Sequence, residues 1–166
     1  MTVAMRLNPP LLIALSILAA AALSIAGAFV FEALGFAPCE LCLTERIPYY
    51  AAIPLAGVAA LFAARGHKKL LGAAFAGLAL TFAASAVLGV YHAGIEWGFW
   101  PGPKECSGVL ERARSVEDFL VQLQSAKVVR CDAPALRIFG ISLASWNAVV
   151  SVGLAVLARA GLRAKL

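Results

Sequence analysis

Four stretches of this sequence are long and apolar enough to cross a bilayer as helices, and nothing else in the chain constrains its fold as tightly. They cover residues 10–34, 44–64, 70–91 and 142–158. A spanning helix needs roughly 20 predominantly apolar residues. Hydrocarbon offers no partner for backbone N–H and C=O groups, so a single spanning segment must satisfy them internally, as a helix does. The first stretch carries no charge before Glu32, and the third carries none. Hydrophobic residues make up 62% of the chain and charged ones 14%, where a soluble domain has about 45–50% and about 25%. A soluble domain and a disordered chain are both excluded. The length of 166 residues predicts one domain. The expected fold class is therefore an all-α membrane protein, a four-transmembrane-helix bundle forming a single integral membrane domain over 1–166. Ala19 to Ala22, Gly72 to Gly77 and Ala83 to Ser85 put small residues where helices pack closely. The first stretch exceeds the roughly 7–15 residues of a signal-peptide core, and three more follow, so it is expected to be retained.

The formal net charge of +5 raises the possibility of nucleic-acid binding, and the placement of the charges removes it. Arg6, Arg65, Lys68, Lys69, Arg159, Arg163 and Lys165 occupy the two termini and the turn between the second and third spans, with no acidic residue among them. The long loop 93–141 has six basic and six acidic residues. Short cytoplasmic segments carry the excess of Lys and Arg. Both termini are thus expected inside, and loops 35–43 and 93–141 outside. Four spans put both termini on one side, in agreement with the charges. The basic balance marks topology, and no nucleic-acid partner is expected.

Four cysteines, Cys39, Cys42, Cys106 and Cys131, all fall in the two outside loops. Cysteines used as small core hydrophobes would scatter through the spans. Disulfides persist on the oxidising side of a membrane. Three pairings are possible, and the spacings suggest Cys39 with Cys42 and Cys106 with Cys131. The first pair encloses only two residues, too few to stabilise a fold by closing a loop. Such a CxxC serves as an exchange-active dithiol, half a metal site or a local staple. The second pair closes a long loop, for which chain entropy gives about 3–4 kcal/mol. Zinc sites of four thiolates usually show two short-spaced knuckles. The second pair here stands 25 positions apart, so metal ligation is not expected.

The CxxC lies in Pro38-Cys39-Glu40-Leu41-Cys42-Leu43-Thr44-Glu45-Arg46, which enters the second span from outside. Helix N-termini favour thiolates. With the helix begun by Cys42, Arg46 lies four residues on and on the same face. It would favour a Cys42 thiolate and offer donors to a ligand carbonyl. Snorkelling to the interface, or pairing with Glu45, is its competing use. Pro48 and Pro54 fall inside the span, where each removes a helix hydrogen bond, so a kink that opens room for a ligand is expected. His92 ends the third span at the same outer surface, as a polar cap or as a ligand. Glu32, Trp97, Trp100 and Trp146 mark that interface, and the aromatics fit a membrane belt. Beyond it, Ser115-Val116-Glu117-Asp118 resembles a capping box. Val116, Phe119, Leu120 and Leu123 then follow at helical spacing. A short amphipathic helix over 115–125 is expected, with Cys106 and Cys131 in flexible segments on either side.

These features together resemble the DsbB family, the bacterial disulfide bond formation protein B. The resemblance covers nearly the whole chain. It rests on four spans, Pro-Cys-x-x-Cys entering the second, Glu45-Arg46 just after it, and a loop cysteine pair between spans three and four. The vitamin K epoxide reductase family also combines four helices, a loop pair and a CxxC, but in the reverse order. A four-thiolate zinc-binding membrane protein is the remaining alternative. The resemblance implies a thiol:quinone oxidoreductase of the bacterial inner membrane. It would reoxidise a periplasmic thioredoxin-fold oxidase, DsbA-like, and pass electrons to the membrane quinone pool (ubiquinone or menaquinone). Carried over by position, Cys106 would be attacked by the partner, and Cys131 would then attack Cys39. Cys42 would be left as the thiolate facing the quinone. Arg46 and His92 match the family's quinone-side arginine and histidine. Glu40, between the first two cysteines, departs from a favourable pattern, since a carboxylate there opposes thiolate formation.

Overall fold

Asn8 starts the first helix. Its side chain accepts from the Leu11 backbone N–H at 2.9 Å, and Pro9 and Pro10 follow at positions where a missing N–H costs nothing. The computed structural model describes residues 8–103, 115–116 and 129–164. Its elements are α1 (Pro9–Ala33), α2 (Glu40–Arg65), α3 (Lys68–Glu96), a hairpin of β1 (Arg137–Ile138) and β2 (Ile141–Ser142), and α4 (Leu143–Arg163). All four helices are long and apolar enough to cross a membrane.

Neighbouring helices run antiparallel. Asn8 Nδ2 donates to Ala63 O at 3.2 Å, which joins the start of α1 to the end of α2. Arg46 reaches Glu32 across the opposite end of the same pair. The core alternates small and large residues at three- and four-residue spacing. Ala14, Ile17 and Ala21 of α1 and Ala52, Ala56, Ala59 and Ala63 of α2 are all buried. Phe75, Leu78 and Phe82 of α3 fill the space beside them. Without a hydrophobic force between helices in lipid, such close approach supplies the attraction. Leu23, Leu80, Val87 and Val156 remain exposed, as lipid-facing positions do.

α3 and α4 make the most extensive contact, and α1 and α4 the least extensive of the four adjacent helix pairs around the bundle. Gly89 lets the former pair touch. A Cβ there would lie 2.8 Å from the backbone nitrogen of Ala148. One polar knot crosses the interior. Tyr49 Oη donates to Asn147 Oδ1 at 2.8 Å, and Ser151 Oγ lies 3.1 Å from the same Oη. Ser151 Oγ in turn donates to Ser85 Oγ at 2.9 Å. These side chains tie α2, α3 and α4 together, and among the described residues Asn147 Nδ2 is left buried without a hydrogen-bond partner.

Several boundaries differ from expectation. α2 begins at Glu40 rather than 44, and α3 runs to Glu96 rather than 91. A helix that leaves the apolar layer continues until something stops it. For α3 that is the turn at Gly98, with φ 76°. The expected kink is corrected too, because α2 is helical without interruption through Pro48 and Pro54. Room for a ligand arises instead at the loose α1–α4 seam. The hairpin was not expected. Its turn places Phe139 and Gly140 at φ 52° and 79°, and Trp146 Nε1 pins it to α4 by donating to Ile138 O at 3.1 Å. The helix expected over 115–125 lies outside the described residues apart from Ser115 and Val116.

Candidate functional site

The chain bends at Gly35, where φ is 95°, and Pro38 precedes the start of α2. Cys39 is the N-cap, and its Sγ accepts from the Cys42 backbone N–H at 3.1 Å. Cys42 therefore sits in the first helical turn. The two form a disulfide with Cα atoms 5.0 Å apart. Both sulfurs lie at the positive end of the α2 dipole, which favours a thiolate on either. Glu40 is exposed in the same turn, where water screens it from the pair and where an acidic residue suits the helix end.

His92 comes from one turn before the end of α3 and is buried against this disulfide, with 2% of its surface exposed. Its Nε2 lies 3.6 Å from Cys39 Sγ. Its Nδ1 lies 3.0 Å from Glu45 Oε1. A carboxylate only accepts, so Nδ1–H donates to Glu45, and Nε2 is the ring atom turned to the sulfur. Cys131 completes the cluster. The ligand atoms of Cys39, His92 and Cys131 all lie within 4.8 Å of one another. Cys131 is itself disulfide-bonded, while Cys106 lies outside the described residues. The expectation that Cys131 occupies a flexible, accessible segment is corrected, because only 1% of it is exposed. It packs with Cys39, Leu41, Cys42 and Val129 in a small apolar cluster. Beside it Arg130 Nε donates to Asp132 Oδ1 at 2.8 Å, which holds the exposed Asp132 carboxyl below its ordinary range.

On the other side of the disulfide, a cavity of about 270 Å³ opens in the seam between α1, α2 and α4. Cys42, Arg46 and Tyr49 line it from α2, Phe31 from α1, and Trp146 and Asn147 from α4. Arg46 Nη1 donates to Glu32 Oε2 at 2.9 Å, and its guanidinium lies 5.3 Å from the centre of the Phe29 ring. Its partner is thus Glu32, not Glu45. His92 does not line this cavity and lies on the Cys39 side. The disulfide stands between two environments, with Cys39 toward the buried Cys131 sulfur and the His92 imidazole and Cys42 toward a mostly apolar chamber that Arg46 and Glu45 also line.

Asn147 and Tyr49 were not singled out by sequence reading, and Glu45 entered it only beside Arg46, with no site role of its own. Each is polar within an apolar span, and polar groups inside a membrane mark functional positions by default. That signal would have found Glu45 and Asn147.

An uncharacterized protein of Rickettsia prowazekii (strain Madrid E) is 26% identical to this chain over 147 residues, covering 87% of this chain and 80% of that protein. No solved structure matches the chain. The family model for disulfide bond formation protein DsbB matches residues 10–161. That match spans all four helices and both sides of the Cys39–Cys42 disulfide, and the chain belongs to the DsbB family of multi-pass membrane oxidoreductases that form disulfide bonds.

Proposed function

We propose that this protein reoxidises a periplasmic thioredoxin-fold thiol oxidase and passes its electrons to a membrane quinone. The observation that carries the reading is the position of the Cys39–Cys42 disulfide, between Cys131 on one side and the Arg46 cavity on the other. A partner thiolate attacks Cys106 and releases the Cys131 thiolate. Cys131 attacks Cys39 Sγ, which forms the Cys39–Cys131 bond and expels the Cys42 thiolate. The partner's second thiol resolves its mixed disulfide and frees Cys106. Cys106 then attacks Cys131 and leaves Cys39 and Cys42 reduced. Two electrons and two protons have left the partner, each exchange running through thiolate attack. His92 Nε2, steadied by Glu45, is placed to take up and return the proton of Cys39.

The cavity residues suit a quinone headgroup. The walls are mostly apolar, and Arg46 has five N–H donors, of which the Glu32 contact uses one. A bound quinone would accept two electrons and two protons from the Cys39–Cys42 dithiol. Arg46 would orient its carbonyl and favour the Cys42 thiolate. By the charge pattern, the end of the bundle holding Arg65, Lys68 and both termini faces the cytoplasm. The cysteine end then faces the periplasm of a bacterial inner membrane.

Arg46→Leu tests this reading. A hydrogen bond to a charged group contributes about 1.5–3 kcal/mol, so the apparent quinone KM should rise about 10- to 100-fold. Exchange between Cys131 and Cys39, measured without quinone, should keep its rate. An unchanged apparent quinone affinity would remove Arg46 from the site.

A further inference from the structure

We propose that the reduced protein binds one zinc-class dication through Cys39, Cys131 and His92, and that this binding halts thiol exchange. Three soft or borderline donors from three separate segments meet at one buried point. Their ligand atoms lie within 4.8 Å of one another, and no more than 4% of any of the three residues is exposed. Tetrahedral zinc, with Zn–S of about 2.3 Å and Zn–N of about 2.0–2.1 Å, separates its sulfur and nitrogen ligands by about 3.6 Å. The observed Cys39 Sγ to His92 Nε2 distance is 3.6 Å. The two sulfurs need to stand about 3.8 Å apart in such a site, a closure of at most about an ångström.

The surroundings of His92 point the same way. Metal-ligating histidines usually donate their second ring N–H to a carboxylate, which fixes the tautomer and raises ligand basicity. Glu45 occupies that position, 3.0 Å from Nδ1. Two thiolates also neutralise a dication, which suits a buried site. Cys42 is not part of the cluster, although it is bonded to Cys39.

Binding is gated by redox state. The thiolate is the metal ligand, so the disulfide form offers only His92. When Cys39 and Cys131 are both thiols, one cation displaces their two protons and no electron moves. The bound sulfurs are then withdrawn from exchange, and the relay stops until the metal leaves. The inference rests on the exchange reading only in requiring Cys39 and Cys131 to be thiols in one state.

The test uses the full-length protein in detergent, reduced with a phosphine and freed of reductant without air. Thiols are counted first, and Co²⁺ is then titrated in and displaced with Zn²⁺. One Co²⁺ per chain should bind, with thiolate-to-cobalt charge-transfer and tetrahedral ligand-field bands that one equivalent of Zn²⁺ bleaches. The oxidised protein should show neither. Cys131→Ser and His92→Gln should each weaken Zn²⁺ binding tenfold or more, while Cys42→Ser should retain it. Glu45→Gln keeps every ligand and should weaken binding about tenfold or more. Free thiols without the charge-transfer bands would overturn the inference alone. So would bands that survive Cys131→Ser or vanish in Cys42→Ser. Failure of Cys39 and Cys131 to become thiols would overturn the exchange reading with it.

Discussion

Replacing Cys131 with serine should abolish oxidation of a reduced thioredoxin-fold partner, lowering turnover by roughly a thousandfold or more, as losing a nucleophile does. Serine nearly matches cysteine in shape and fits the buried pocket that Cys131 fills with 1% of its surface exposed. The four helices should therefore still form, while the variant loses the loop disulfide, for which chain entropy gives about 3–4 kcal/mol. What is lost is the sulfur within 4.8 Å of Cys39. A hydroxyl neither ionises near neutral pH nor forms a disulfide, so electrons from the partner cannot reach Cys39. In this variant the Cys39–Cys42 disulfide should stay oxidised under excess reduced partner, as read by alkylation and mobility shift. Cys42→Ser supplies the contrast. In it Cys39 is a thiol that can attack Cys131 of the loop disulfide and release Cys106, so a Cys39–Cys131 cross-link should accumulate. Rapid turnover by Cys131→Ser would mean that the buried cysteine is a structural element.

Gly89→Val should separate α3 from α4 and disable the site from a distance. A Cβ at Gly89 would fall 2.8 Å from the nitrogen and 3.0 Å from the Cα of Ala148. Backbone cannot rotate away as a side-chain end can, so the helices must move apart. Forcing added carbons into a packed interior typically costs about 1–3 kcal/mol. The displacement reaches the chemistry because His92 lies three residues beyond Gly89, and Asn147 is next to Ala148. Stability against a denaturing detergent in mixed micelles should fall, and partner oxidation should fall with it. Gly153→Ala is the control, since nothing lies within 4 Å of a Cβ at that position. It should be neutral or slightly stabilising, because Ala outranks Gly in helices. Equal stability of Gly89→Val and the parent would contradict the close contact.

The four helices were legible because the bilayer imposes its own thickness on the sequence. Their ends were less so. Apolar runs report where lipid is, whereas helices end at caps and glycines. Cys39 caps α2 five residues upstream of the apolar stretch, and α3 continues past His92 to Glu96. The CxxC and Arg46 carried their chemistry in local spacing, which a helix converts directly into geometry. The Glu45–His92 pair did not, because its members stand 47 residues apart and meet only through packing of α2 on α3. Nor could spacing show that Cys131 is buried, since loop polarity says nothing about where a loop folds back. Pro48 and Pro54 misled by their usual effect. The bundle accommodates both without a break, and the chamber forms where α1 and α4 separate.

In the proposed exchange sequence, quinone keeps the Cys39–Cys42 pair oxidised while Cys131 delivers electrons to it. Trapping the thiols of the protein in membranes with quinone and after quinone depletion, in the presence of reduced partner, tests it most directly. With quinone, Cys39 and Cys42 should be found joined to each other. Without quinone, both should be trapped as thiols while reduced partner accumulates. A Cys39–Cys42 disulfide that stays oxidised in both membranes, whatever the state of the partner, would contradict the account.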